Sequence, residues 1–244
     1  MNRTPDGAAL RSIYSVVLGR LATRGRLAAL GALGGVLIIA GFTVGRAAGT
    51  TGPDHDGATL LANLGLGIVL PVSSLVMASS ALGELREDHS LVYLWLRPLR
   101  PWVVPLAGFG AAVSLVLPLV LLPGFLAALL SGTGRGLPGA ALIAMTVGTL
   151  AYCGVFLAFG LWVRRTLLWG LAYILIWEGF VASAGTGPAS LAIRAYTRSI
   201  IARVTDTELG LGTMSLTTGI LVPLAITLGA MALAVHRYGN LDVD

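Results

Sequence analysis

The chain has 244 residues, 56% hydrophobic and only 11% charged, with a mean hydropathy of +0.86; ordinary globular domains are roughly one quarter charged, so the composition predicts a membrane protein. The net charge of +5 comes from arginine alone, 16 residues with no lysine, and these are scattered among apolar segments without the continuous basic face that nucleic-acid binding requires. A single cysteine, Cys153, excludes an internal disulfide and supplies no cluster of metal ligands.

Residues 1–26 form the opening segment. Within it, Leu10, Ile13, Tyr14, Val17 and Leu21 fall on one helical stripe, with Ser12, Ser15 and Gly19 opposite and Arg11 and Arg20 at the borders. This pattern predicts an amphipathic helix lying in the membrane interface, apolar face toward the acyl boundary. The first long apolar run begins at Leu27 and continues for about 19 residues, longer than the ~7 to 15 of a secretory signal, and is expected to be a retained span.

Stretches of about 20 apolar residues suit a bilayer crossing. They can be drawn at 27–45, 58–82, 103–130, 139–163, 167–183 and 213–235, which predicts an all-α polytopic body of six spans over residues 27–236 and a short tail at 237–244. The fifth stretch is the shortest. Pro71, Pro105, Pro118, Pro123 and Pro223 fall inside spans and predict kinks. Gly31, Gly34, Gly35, Gly65 and Gly67 permit close helix packing in lipid.

An even number of spans puts both termini on one side. Placing them in the cytoplasm assigns eleven arginines to the inside and five to the outside (Arg46, Arg135, Arg194, Arg198 and Arg203), the arrangement that positive-inside counting favours.

Between the second and third stretches the composition changes abruptly. On a helix, Leu85, His89, Val92 and Leu96 fall within a narrow arc, Glu84, Glu87 and Asp88 crowd an adjoining one, and Arg86 projects opposite. Pro98 and Pro101 end it. Such a helix can rest one face on the membrane body and offer acids to something basic; the alternative is a charged loop serving topology alone.

The stretch LGELREDHSLVYLWLRPLRP, residues 82–101, resembles the cytoplasmic segment between the second and third spans of type-2 ATP-binding-cassette (ABC) export permeases. There an acid-rich patch precedes a helix with Leu and aromatic residues and an Arg-Pro. The resemblance implies that residues 83–97 form a coupling helix seated in a separate ATPase dimer, with Glu84, Arg86, Glu87, Asp88 and His89 contacting that partner and Tyr93, Trp95 and Arg97 supporting it. It further implies pairing with a second permease copy or homologue in the cell membrane. No cofactor is then expected on this chain, since no phosphate-cradling GxxxxGK[ST] loop occurs in it; ATP and Mg would belong to the partner ATPase.

Glu178, preceded by Trp177, is the only acid inside a predicted span, where a carboxylate marks a pathway, a proton relay or an ion pair. Residues 184–212 form a patterned segment in which Leu191, Ala195 and Ile201 can make a helix and Arg194 and Arg198 lie one turn apart. Two readings stand: the external or re-entrant gate at the dimer axis that the resemblance implies, or an interfacial helix with snorkelling arginines. Asp206 and Glu208 are available to pair with those arginines. Catalysis is not expected, because His55, His89 and His236 lie in separate regions, and the Asp54-His55-Asp56 triplet reads as a solvated loop. An ABC exporter permease is the expected function, with a membrane scaffold recruiting a cytosolic partner and a proton-coupled carrier using Glu178 as the alternatives.

Overall fold

The protein is described by a computed structural model covering residues 6–47, 53–87, 100–132, 136–163, 165–181, 186–207, 209 and 214–240. All regular structure among these residues is helical. In chain order the elements are α1 (Asp6–Leu21), α2 (Arg24–Ala47), α3 (Pro53–Leu60), a first π-helical segment (Leu61–Val69) and α4 (Leu70–Glu87). There follow α5 (Val103–Leu130), α6 (Leu137–Trp162), α7 (Thr166–Ala172), a second π-helical segment (Tyr173–Val181), α8 (Thr186–Ala189), α9 (Ile193–Thr205) and α10 (Leu216–Gly239).

Five helices among the described residues are long and apolar enough to cross a membrane: Arg24–Ala47, Asp56–Gly83, Val103–Leu130, Leu137–Trp162 and Leu216–Gly239. The hydropathy runs locate them well because each is a continuous apolar stretch. The remaining predicted span, 167–183, corresponds to the shorter apolar helix Thr166–Val181.

α6 is the hub, with α4, α5, α9 and α10 packed around it. Its burial explains why almost no polar atom breaks its sequence: Met145, Tyr152, Phe156 and Leu157 are fully covered by neighbouring helices. Contacts fix the direction of each neighbour. Leu70 lies against Gly148 and Ser79 against Gly160, so α4 runs parallel to α6, whereas Gly124 of α5 lies against Met145 and Gly108 against Leu82 and Leu157, so α5 runs the other way.

One end of the bundle gathers the start of α1, the start of α5 and the end of α10. Asp6 pairs with Arg100 at 3.2 Å, and a methyl built on Gly239 would meet the Pro101 ring at 3.5 Å. This is the basal end; the distal end holds Gly136, the start of α6 and the start of α10.

Small residues set the α2–α5 distance. A side chain at Gly41 would lie 2.6 Å from the backbone of Ala127, and one at Gly34 would lie 2.6 Å from Pro123; in lipid, where no hydrophobic drive joins helices, such backbone approach supplies dispersion contact instead. Of the glycines expected to serve packing, Gly34, Gly65 and Gly67 do so, while Gly31 and Gly35 face open space.

The amphipathic stripe of α1 is buried as expected at Ile13, Val17 and Leu21. What covers it is protein: the helix lies along α5, with Tyr14 Oη donating to Ser114 Oγ at 2.9 Å. The pattern in the sequence specifies an apolar face and cannot distinguish lipid from a neighbouring helix.

Pro71 accounts for the first π segment. Its ring lacks an N–H and collides with the carbonyl one turn earlier; widening that turn removes the clash, and the Leu70 N–H accordingly donates to Gly65 O, five residues back.

Candidate functional site

The site lies where α7 with its π segment meets α9. α6 ends at Trp162, the chain reverses through Arg165 in the left-handed region at φ 58°, and α7 returns along α6 and α4, with Gly170 pressed against Leu75. The π segment continues until Glu178 reaches Tyr152. There the chain leaves, and α9 takes over: Thr197 packs on Gly148 and Val204 on Gly136 at the distal end. Along α6, α7 with the π segment runs from the basal end to the level of Tyr152, and α9 continues from there to the distal end. At 1.5 Å per residue, Tyr152 stands about 15 Å from the basal end of α6 and about 22 Å from its start, close to mid-depth.

Glu178 is 1% exposed and is the only charged side chain among the described residues that is buried. Three elements converge on it. Tyr152 Oη of α6 donates to Oε2, and Tyr173 Oη, at the start of the same π segment, donates to Oε1 at 3.3 Å. The third is the N-terminus of α9, where Ala192 offers no side-chain cap and the Arg194 backbone N–H and guanidinium charge both act on the carboxylate. Unpaired N–H groups and the positive end of the helix dipole make this a natural anion seat, and Glu178 fills it from another element. Phe156 stacks on Tyr152 with ring centroids 5.8 Å apart and meets Tyr173 edge-on at 6.3 Å, so both hydroxyls are held in place.

The Arg194 guanidinium then reaches across Gly67, where a side chain would come within 2.9 Å of it, and donates from Nη2 to Asn63 Oδ1 at 3.2 Å. Asn63 belongs to the first π segment and is exposed. A ladder of polar groups thus runs from the buried Tyr152 through Glu178 and Arg194 to the surface. Arg198, one turn on, donates from Nη2 to Leu209 O at 3.1 Å, and Arg203 Nε donates to Met214 O at 3.1 Å, so these arginines tie down the connection from α9 to α10.

Of the residues singled out in the sequence, Glu178 and Arg194 come together. Arg198 stands beside them with another task. Trp177 turns away into an open apolar groove with Phe159, Val163, Trp169 and Ile176. Asp206 ends α9 in the left-handed region at φ 52°, and the acceptors found for Arg194 and Arg198 are Asn63 and Leu209 in place of the expected acids; Glu208 lies outside the described residues. The backbone of Glu84, Arg86 and Glu87 forms the last turn of α4, while Asp88, His89, Tyr93, Trp95 and Arg97 lie outside the described residues. The sequence reading did not select Asn63, Tyr152 or Tyr173. Asn63 gives a signal, a lone amide in an apolar run; the tyrosines give none, because only tertiary packing brings them to Glu178.

No group of three or more His, Cys, Asp or Glu that could hold a metal ion occurs among the described residues. Comparison with protein-family models finds no match, and comparisons with curated proteins and with solved structures find none either.

Proposed function

We propose that the chain is the membrane subunit of an ATP-driven exporter, working with a separate ATPase dimer and a second permease copy or homologue. Two regions carry the reading. The segment after α4, with Glu84, Arg86, Glu87, Asp88 and His89, supplies the resemblance to type-2 ABC export permeases and a charged face suited to a cytosolic partner. The observation that favours transport over anchoring is the Glu178–Arg194 cluster: ionisable groups at mid-depth, at a break between helices, are expensive in lipid and accompany substrate or ion pathways. In this reading the basal end faces the cytoplasm, α7, α9 and their junction complete the sixth crossing, and α1 is the helix at the cytoplasmic interface.

The mechanism requires two states whose balance the partner alters through differential contact. Closure of the ATPase dimer would move residues 83–97, and α4 would carry that movement to α7, against which it packs at Leu75 and Gly170. The test is co-purification with a nucleotide-hydrolysing subunit together with the double substitution Glu84→Lys and Glu87→Lys. The expected result is loss of coupling with the ATPase still folded; transport that survives the double charge reversal with normal ATPase recovery would remove the assignment.

The same cluster favours a second reading, a proton-coupled carrier with Glu178 as the proton site. It is distinguished by transport without any ATPase and by its loss in Glu178→Gln.

A further inference from the structure

Between the last turns of α6 and the returning α7 lies an open groove of about 470 Å³, walled by Phe159 and Val163 on one side and by Trp169, Ala172, Tyr173 and Trp177 on the other. No charged residue lines it, and its one phenol is turned inward, Tyr173 Oη donating to Glu178 Oε1 at 3.3 Å. What faces the groove is hydrocarbon and aromatic ring. Trp177 follows Trp169 by eight residues, about 12 Å at 1.5 Å per residue, which is most of the ~15 Å that one leaflet contributes to the hydrocarbon core. The average cross-section is then about 40 Å², whereas a helix with its side chains is ~10 to 12 Å across and needs about 80 Å² or more. The groove is sized for an extended chain and is too narrow for a helix of another subunit.

Its basal mouth carries a cation. Arg165 turns the chain from α6 into α7 at φ 58°, two residues after Val163, and its carbonyl accepts from the Trp169 N–H, so it stands one turn below the first wall residue of α7. Arg165 is exposed, and no side-chain partner for it occurs among the described residues. Trp162 and Trp169, 51% and 62% exposed, flank the same end, where indoles sit at the level of lipid headgroups. We propose that this groove holds one acyl chain of an anionic phospholipid whose headgroup phosphate rests on Arg165. Cation, interfacial indoles and apolar slot follow one another in the order of phosphate, glycerol region and chain in the lipid itself. The bound chain covers Tyr173 on the side turned to the bilayer and so completes the wall around the Glu178 site. The site requires a membrane and no ATPase, so it stands or falls apart from the exporter reading.

The full chain, purified in mild detergent and delipidated, is titrated with phosphatidylglycerol and with phosphatidylcholine of the same acyl chains and read by native mass spectrometry. The expected result is a first lipid that binds about fivefold more tightly as phosphatidylglycerol, the equivalent of the ~1 kcal/mol that one arginine contributes near an anionic lipid surface. Arg165→Gln should erase that preference and leave phosphatidylcholine binding as it was. Ala172→Trp fills the slot and should weaken both lipids several-fold, while Leu228→Trp, at a position of α10 that is 73% exposed, should change neither. Equal affinity for the two lipids in the parent chain, a preference that survives Arg165→Gln, or unchanged binding in Ala172→Trp would overturn the proposal. So would loss of a dimer mass in Ala172→Trp with lipid binding intact, which assigns the groove to a second copy of this chain. Arg165→Gln alters an exposed position and decides alone if Ala172→Trp does not fold.

Discussion

The α2–α5 pair and the α7–α9 junction lie on the same bundle and are held by opposite means. α2 meets α5 through Gly34 and Gly41, backbone to backbone, with no ionisable group between them. α9 meets α6 and the second π segment through a carboxylate, two phenols, a helix terminus and a guanidinium. The first contact is made of dispersion forces that fall off steeply with distance, so it has one good geometry. The second adds directional polar bonds to the apolar packing of Ile193, Ile200 and Ile201, so its geometry depends on which groups are bonded as well as on how closely they approach.

Glu178→Ala tests that contrast hardest. Removing the carboxylate leaves the Tyr152 and Tyr173 hydroxyls and the α9 terminus without their common acceptor, and each donor left unsatisfied in the interior costs about 1 to 3 kcal/mol; unfolding in detergent micelles should register a loss at the upper end of that range, with Glu178→Gln recovering part of it. Next in size is Gly41→Leu, which forces α2 from the Ala127 backbone. Overpacking of this kind costs about 1 to 3 kcal/mol, and it should lower the thermal midpoint of unfolding. Gly35→Ala, at a position that meets nothing within 4 Å, is the matched control and should stabilise the helix slightly, by up to about 1 kcal/mol. Tyr173→Phe removes one hydrogen bond and should cost about 0.5 to 1.5 kcal/mol. Asp6→Asn breaks an ion pair that is 65% and 36% exposed on its two sides, and its effect should stay below about 1 kcal/mol and vanish in high salt. Equal losses for Glu178→Ala and Asp6→Asn would erase the distinction between the two regions.

The long helices were legible in the sequence because each is one unbroken apolar run, and hydropathy needs no partner to be read. The α7–α9 traverse was not. Its outer half contains Arg194, Arg198 and Arg203, so α9 has the composition of a surface helix, yet Ile193, Ala195, Ile200 and Ile201 bury it against α6 and α10. The π register hid the site in the same way. Spacing rules for α-helices place Tyr173 and Glu178 on different faces, so the pair carries no pattern until the turn is widened. Glu178 itself was visible because a lone acid in an apolar run stands out, whereas its partners Tyr152 and Tyr173 look like ordinary core aromatics.

The contact between α1 and α5 has a consequence for how the protein is made. Tyr14 and its acceptor Ser114 are 100 residues apart. At about 5 to 20 residues per second, the ribosome delivers the second roughly 5 to 20 seconds after the first. Throughout that interval α5, the helix that lies along Ile13, Val17 and Leu21, is still incomplete, so the apolar ridge of the opening helix waits for its main cover.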